Sequence, residues 1–74
     1  MTPVRSEMPA TVVEVSVSEG QHIDRGAQLV VLESMKMEIP VASPVGGKVS
    51  RVVVAAGDLV EAGDVLVEIE PALP

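Results

Sequence analysis

The stretch SEMPATVVEVSVSEGQHIDRGAQLVVLE, residues 6–33, is written a second time as SPVGGKVSRVVVAAGDLVEAGDVLVEIE, residues 43–70. The offset is 37 residues and the two copies align without a gap. Nine positions are identical, among them both glycine pairs, Gly20/Gly57 and Gly26/Gly63. Each copy opens on a valine-rich run, TVVEVSV or KVSRVVV. A glycine turn follows, then a short HID or LVE, then a second glycine turn. Each copy closes on an apolar run, QLVVLE or VLVEIE. The alternation at Val15-Val17 and Val52-Val54 has the period of a strand. The repeated glycines suit turns that need positive φ. No segment carries a long apolar pattern at helical spacing. The pattern predicts an all-β fold with about four strands per copy.

Neither copy can bury its apolar face alone, and two similar halves packed face to face would bury both. The expected object is a flattened sandwich or barrel of two four-stranded sheets with pseudo-twofold symmetry. It is one domain over residues 1–74, with repeat halves at about 6–33 and 43–70 and a junction hairpin at 34–42. A chain of 74 residues leaves a thin margin for a core. There is no aromatic residue, so Val, Leu, Ile, Ala and Met are the expected core formers. The valine content favours strands.

Composition excludes several chemistries. There is no cysteine, hence no disulfide framework, no thiolate metal site and no cysteine nucleophile. The formal net charge is −6, which repels a phosphate backbone, and nothing offers a stacking platform for bases. A nucleic-acid partner is not expected. No apolar run approaches the length of a membrane span, and MTPVRSEMPA lacks the apolar core of a signal peptide. The expectation is a cytoplasmic protein with no membrane partner, a monomer on its own.

Between the copies lies SMKMEIPVA. Strand QLVVLE runs into it and strand MEIPVA runs out of it. A tight reversal places Met35-Lys36 at a hairpin tip, with Lys36 in solvent. A lone lysine there is ordinarily a soluble turn residue. The neighbours argue otherwise: a turn prefers Gly, Asn or Asp, and methionine is poor surface chemistry. Two exposed methionines beside a lysine make a soft, adaptable patch for a partner enzyme to read.

The segment Glu33-Ser34-Met35-Lys36-Met37-Glu38 resembles the biotin attachment motif of biotin carboxyl carrier domains, commonly Glu-Ala-Met-Lys-Met. The resemblance covers the chain from about Met8 to Glu70. It includes Met-Pro-x-x-Val at Met8, Pro9 and Val12, and the turns at Gly20/Ile23/Gly26 and Gly57/Val60/Gly63. It also includes Pro-x-x-Gly-x-Val at Pro44, Gly47 and Val49. The resemblance implies the biotinyl/lipoyl flattened barrel. The small size and lack of a long linker resemble the small, free-standing biotinylated proteins of actinobacteria, and the ungapped copies leave no room for the protruding thumb of some carriers. Ser34 stands where alanine is commoner. Ala10 stands where the first half usually has glycine, at an expected small cost in backbone strain.

What the resemblance implies is a carrier, not an enzyme. Lys36 would be the residue modified, by a biotin protein ligase that reads Met35 and Met37, with Glu33, Ser34 and Glu38 as motif flanks. Biotin, held covalently on Lys36, would carry carboxyl groups between a biotin carboxylase and a carboxyltransferase. A lysine side chain in water is cationic at neutral pH, so the ligase has to supply both the deprotonation and the activated biotin.

Other candidate chemistry is thin. His22 is the sole histidine and reads as a surface residue, since a metal site needs several ligands in register. The serines form no visible Ser-His-Asp arrangement. Asp24 and Glu61 recur at equivalent turns, which argues for structure. Two other readings share the fold: a lipoyl carrier or dual acceptor, whose tip typically reads Asp-Lys-Ala, and an unmodified structural or interaction module.

Overall fold

The computed structural model describes residues 1–73. Eight strands follow one another: β1 (Thr2–Arg5), β2 (Ala10–Val15), β3 (His22–Ile23), β4 (Gln28–Ser34), β5 (Met37–Ala42), β6 (Gly47–Val52), β7 (Leu59–Val60) and β8 (Val65–Pro71). No helix among the described residues is long and apolar enough to cross a membrane. Moving β2, β3 and β4 along by 37 residues gives the bounds of β6, β7 and β8. The same shift carries β1 onto residues 39–42, inside β5. The repeat therefore begins earlier than Ser6. Pro3 matches Pro40 and Val4 matches Val41 at the same offset. That two-residue signal is what the sequence offered for β1, which the valine-rich runs did not locate.

Two antiparallel four-stranded sheets form, in the orders β1-β8-β6-β3 and β5-β4-β2-β7. The second order is the first with each strand replaced by its repeat partner, which is the pseudo-twofold axis expressed as topology. The layers, however, are not the halves. Each sheet takes two strands from each copy, so the expectation of two halves packed face to face gives way to two interlocked halves. The glycine turns show why. After β2 the chain turns at Gly20 and enters the other sheet, where β3 pairs with β6 of the second copy. The Gly20 amide donates to the Val49 carbonyl at 2.7 Å, and the Gly57 amide donates to the Val12 carbonyl at 2.7 Å. Each turn is thus clipped to the central strand of the opposite copy. Gly20 and Gly57 hold φ of 88° and 97°, a region that glycine enters without steric cost.

The core has the same symmetry. Five repeat pairs are buried on both members: Val12/Val49, Ile23/Val60, Leu29/Leu66, Val30/Val67 and Leu32/Ile69. Val4 and Val17 complete it. Leu29-Val30 and Leu66-Val67 are consecutive pairs in which every residue is fully buried. Strict alternation would expose one of each. The ladders skip a residue here, between Gln28 and Val30 on β4, and Val65 and Val67 of β8 face adjacent residues of β1. These bulges let two neighbours face one core. Ser6 and Ser43 are the buried polar pair, and their hydroxyls donate to the carbonyls of Met8 and Val45 at 2.6 Å. Methionine is absent from this core. Met1, Met8, Met35 and Met37 are all exposed, so Val, Leu and Ile fill the interior.

Ala10 carries none of the expected strain. The non-glycine residues with positive φ are Met35 and Lys36. At the counterpart, Gly47, a Cβ would overlap the Glu70 carbonyl oxygen and stand 2.9 Å from Pro71 Cα. The β6–β8 ladder reaches Gly47↔Pro71, whereas β2 pairs with β4 only from Thr11↔Glu33. The first copy parts one pair earlier, so alanine fits.

Candidate functional site

β4 and β5 are antiparallel neighbours, and their ladder runs to Ser34↔Met37. Two residues remain to reverse the chain: Met35 at φ 53° and Lys36 at φ 64°. Positive φ at both central residues defines a type I′ turn, whose twist matches that of the flanking strands. Asn-Gly is the usual occupant. Met-Lys here takes a left-handed conformation at about 1 kcal/mol or more per residue. The tip falls where the strands read on either side of it predicted. Its backbone conformation was not legible, because Met and Lys give no sign of it.

The ladder sorts the neighbouring side chains by face. Leu32↔Ile39 is a paired position on the core side, and Glu33↔Glu38 is the next pair, on the solvent side. Both glutamates are exposed. They stand directly opposite each other, a like-charge arrangement that costs a few tenths of a kcal/mol or somewhat more. Ser34↔Met37 returns to the core side, beyond the packed interior: Ser34 is half-buried and Met37 is 65% exposed. Met35 is 92% exposed, and Lys36 is exposed beside it. Among the described residues the ion pair joins Arg51 to Glu68 at 4.0 Å, and neither Lys36 nor the two glutamates take part in it.

Lys48, the other lysine, is also exposed but sits in a different setting. It lies in β6, flanked by His22 of β3 and Glu70 of β8, on a sheet face rather than at a tip. His22 belongs to the two-residue strand β3. A groove of about 570 Å³ runs between edge strands β1 and β5, with Val4, Ile39 and Val41 in its wall. None of residues 33–38 borders it. Lys36 is therefore an exposed amine held out on a short ladder, outside this groove. An exposed amine without an ion-pair partner, on a fixed backbone, fits covalent attachment of a carried group.

Comparison with known proteins gives the family and the fold. The family model described as biotin-requiring enzyme, the biotin/lipoyl domain, matches residues 2–69. The chain is 57% identical over 63 residues to the biotinylated protein TB7.3 homolog of Mycobacterium leprae (strain TN), covering 85% of this chain and 89% of that one. It is 41% identical over 66 residues to the biotin/lipoyl attachment protein of Bacillus subtilis (strain 168), covering 89% and 90%. Among solved structures, a single-chain, multi-domain long-chain acyl-CoA carboxylase superposes with a TM-score of 0.89 at 40% identity. That match takes in 97% of this chain and 7% of the carboxylase.

Proposed function

The chain belongs to the biotin/lipoyl domain family of biotin-requiring enzymes, and from that premise we propose that it is a non-catalytic biotin carrier whose acceptor is Lys36. The observation that carries the reading is the lysine's position: an unpaired, exposed amine on a two-residue turn, between Met35 and Met37. When bound, biotin would carry a carboxyl group from a biotin carboxylase to a carboxyltransferase. Everything else is supplied by the chain's own residues. The β4–β5 ladder fixes the direction in which Lys36 leaves the body. Its four-carbon stem gives the reach. Met35 and Met37 offer an apolar rim that a biotin protein ligase and the carboxylase sites can cover. Glu33 and Glu38 mark the outer face of the hairpin, and Ser34 is small enough to let the partner approach. Tethering to a compact domain replaces free diffusion by a high effective concentration at each partner site. Acylation of the amine removes one positive charge from a chain already at −6. In this reading the protein works in the cytoplasm, as a monomer, and its partners are the ligase and the two carboxylase activities.

A second reading has one observation in its favour. The Bacillus relative is named for both biotin and lipoyl attachment, so lipoate on the same Lys36 is the alternative load. The test is intact mass of the wild type and Lys36→Arg after incubation with biotin protein ligase and, separately, with lipoate ligase. The expected result is one biotin on the wild type, none on Lys36→Arg, and an unchanged fold by circular dichroism. Biotin on the arginine variant would move the site elsewhere. Lipoate alone on the wild type would replace the first reading with the second.

A further inference from the structure

We propose that Met35 and Met37 are reversible sulfoxidation sites whose oxidation slows the loading of Lys36. The inference rests on Lys36 being the biotin acceptor. Its own support is separate. The chain has no cysteine, tryptophan or tyrosine, so methionine thioethers are its principal targets for two-electron oxidants. All four methionines lie outside the core, and the two at the tip are 92% and 65% exposed. The fold does not call for them. The repeat counterpart of Met35 is Ala72, and a type I′ turn is better served by Asn and Gly. Sulfur has thus been placed at two exposed positions flanking the acceptor amine, where neither packing nor turn geometry requires it.

The chemistry balances with hydrogen peroxide as oxidant. A lone pair on the methionine sulfur attacks one peroxide oxygen and an S–O bond forms. The O–O bond breaks, and the leaving hydroxide takes a proton and departs as water. Sulfur loses two electrons and the two peroxide oxygens gain one each, one ending in the sulfoxide and the other in water. The reverse step needs a dithiol: the sulfoxide oxygen leaves as water and the dithiol becomes a disulfide. The chain contains no thiol, so reduction depends on an external methionine sulfoxide reductase. The sulfoxide turns a soft apolar side chain into a polar acceptor. A ligase surface shaped to cover two thioethers would then meet two polar oxygens beside the lysine it must bind.

The experiment treats the full chain with hydrogen peroxide and maps added oxygen by peptide mass. Oxygen is expected at Met35 early and at Met8, the least exposed of the four, late. Initial rates of biotin transfer are then read by intact mass for untreated, oxidised, and oxidised then reductase-treated protein. The expected rate loss is roughly tenfold, equivalent to about 1.4 kcal/mol, with recovery after reduction. Met35→Leu/Met37→Leu retains Met1 and Met8, and its ratio of oxidised to untreated rate should stay near one, whatever its own rate. Three results would overturn the inference: unchanged loading of the oxidised wild type, an equal loss in the double leucine variant, or oxygen at Met8 before Met35. Failure of untreated wild type to take any biotin is a distinct result; it removes the acceptor reading, and this inference with it.

Discussion

Met35 and Lys36 stand side by side at the β4–β5 tip, and both hold left-handed backbone, at φ 53° and 64°. They are the non-glycine residues with positive φ. The turn that presents the candidate acceptor is therefore less stable than the same turn built from Asn-Gly. Replacing the pair as Met35→Asn/Lys36→Gly should stabilise the domain by about 1–2 kcal/mol. In a domain of this size each kcal/mol moves the melting midpoint by roughly 4–8 °C, so calorimetry should show an upward shift. The same variant should take no biotin. A lowered midpoint would mean that the tip is not strained as its dihedrals indicate.

The glycine turns are a backbone requirement and not a packing one. A Cβ on Gly57 would meet no atom within 4 Å, yet φ is +97°. Gly57→Val should cost about 1–3 kcal/mol from backbone strain, a sizeable part of a small domain's stability. Gly20→Val should cost a similar amount, because the two turns make the same hydrogen bond to opposite copies. Chemical denaturation checks both. A Gly57→Val midpoint equal to that of the wild type would show that the turn tolerates a side chain.

Gly47 fails for another reason. Its Cβ would collide with backbone of β8, at the Glu70 carbonyl and Pro71 Cα. Backbone in a ladder cannot rotate away as a side chain can. Gly47→Ala should therefore lower stability by roughly 1–3 kcal/mol or more, exceeding the loss from Gly57→Ala. Ala10→Gly, at the symmetric position, should cost at most about 1 kcal/mol, from chain entropy. A Gly47→Ala variant as stable as wild type would require β8 to shift, which amide hydrogen exchange at Glu70, Ala72 and Leu73 would register.

The tip methionines should govern which ligase acts, with little effect on folding. Both are exposed, and surface substitutions usually stay within about 0.5 kcal/mol. Met35→Asp/Met37→Ala writes the lipoyl-like tip around Lys36. The expected outcome is slower biotin transfer and faster lipoate transfer than wild type, read by intact mass in paired assays. Equal biotin rates would show that the methionines do not carry the choice of load and that recognition rests on the rest of the hairpin surface.

The ungapped copy of residues 6–33 in 43–70 was enough to give an all-β sandwich with a pseudo-twofold axis, because turn glycines and buried valines recur in register. It was also enough to isolate Met35-Lys36 as the reversal between two strands. Those are local properties: period, turn chemistry and the position of a break in a repeat. Which strand pairs with which is not local. The halves interlock because β3 and β7 find their ladder partners in the opposite copy, and a two-residue strand carries no sign of its partner. β1 was hidden for a similar reason, since TPVR becomes a strand only beside β8. The bulges that bury Leu29 with Val30 break the alternation from which burial is read. The methionines left the core because the interlocked sheets close on Val, Leu and Ile alone. The left-handed backbone under Lys36 follows from closing a six-pair ladder with only two residues; the pairing on either side imposes it, and the side chains at the tip have no say in it.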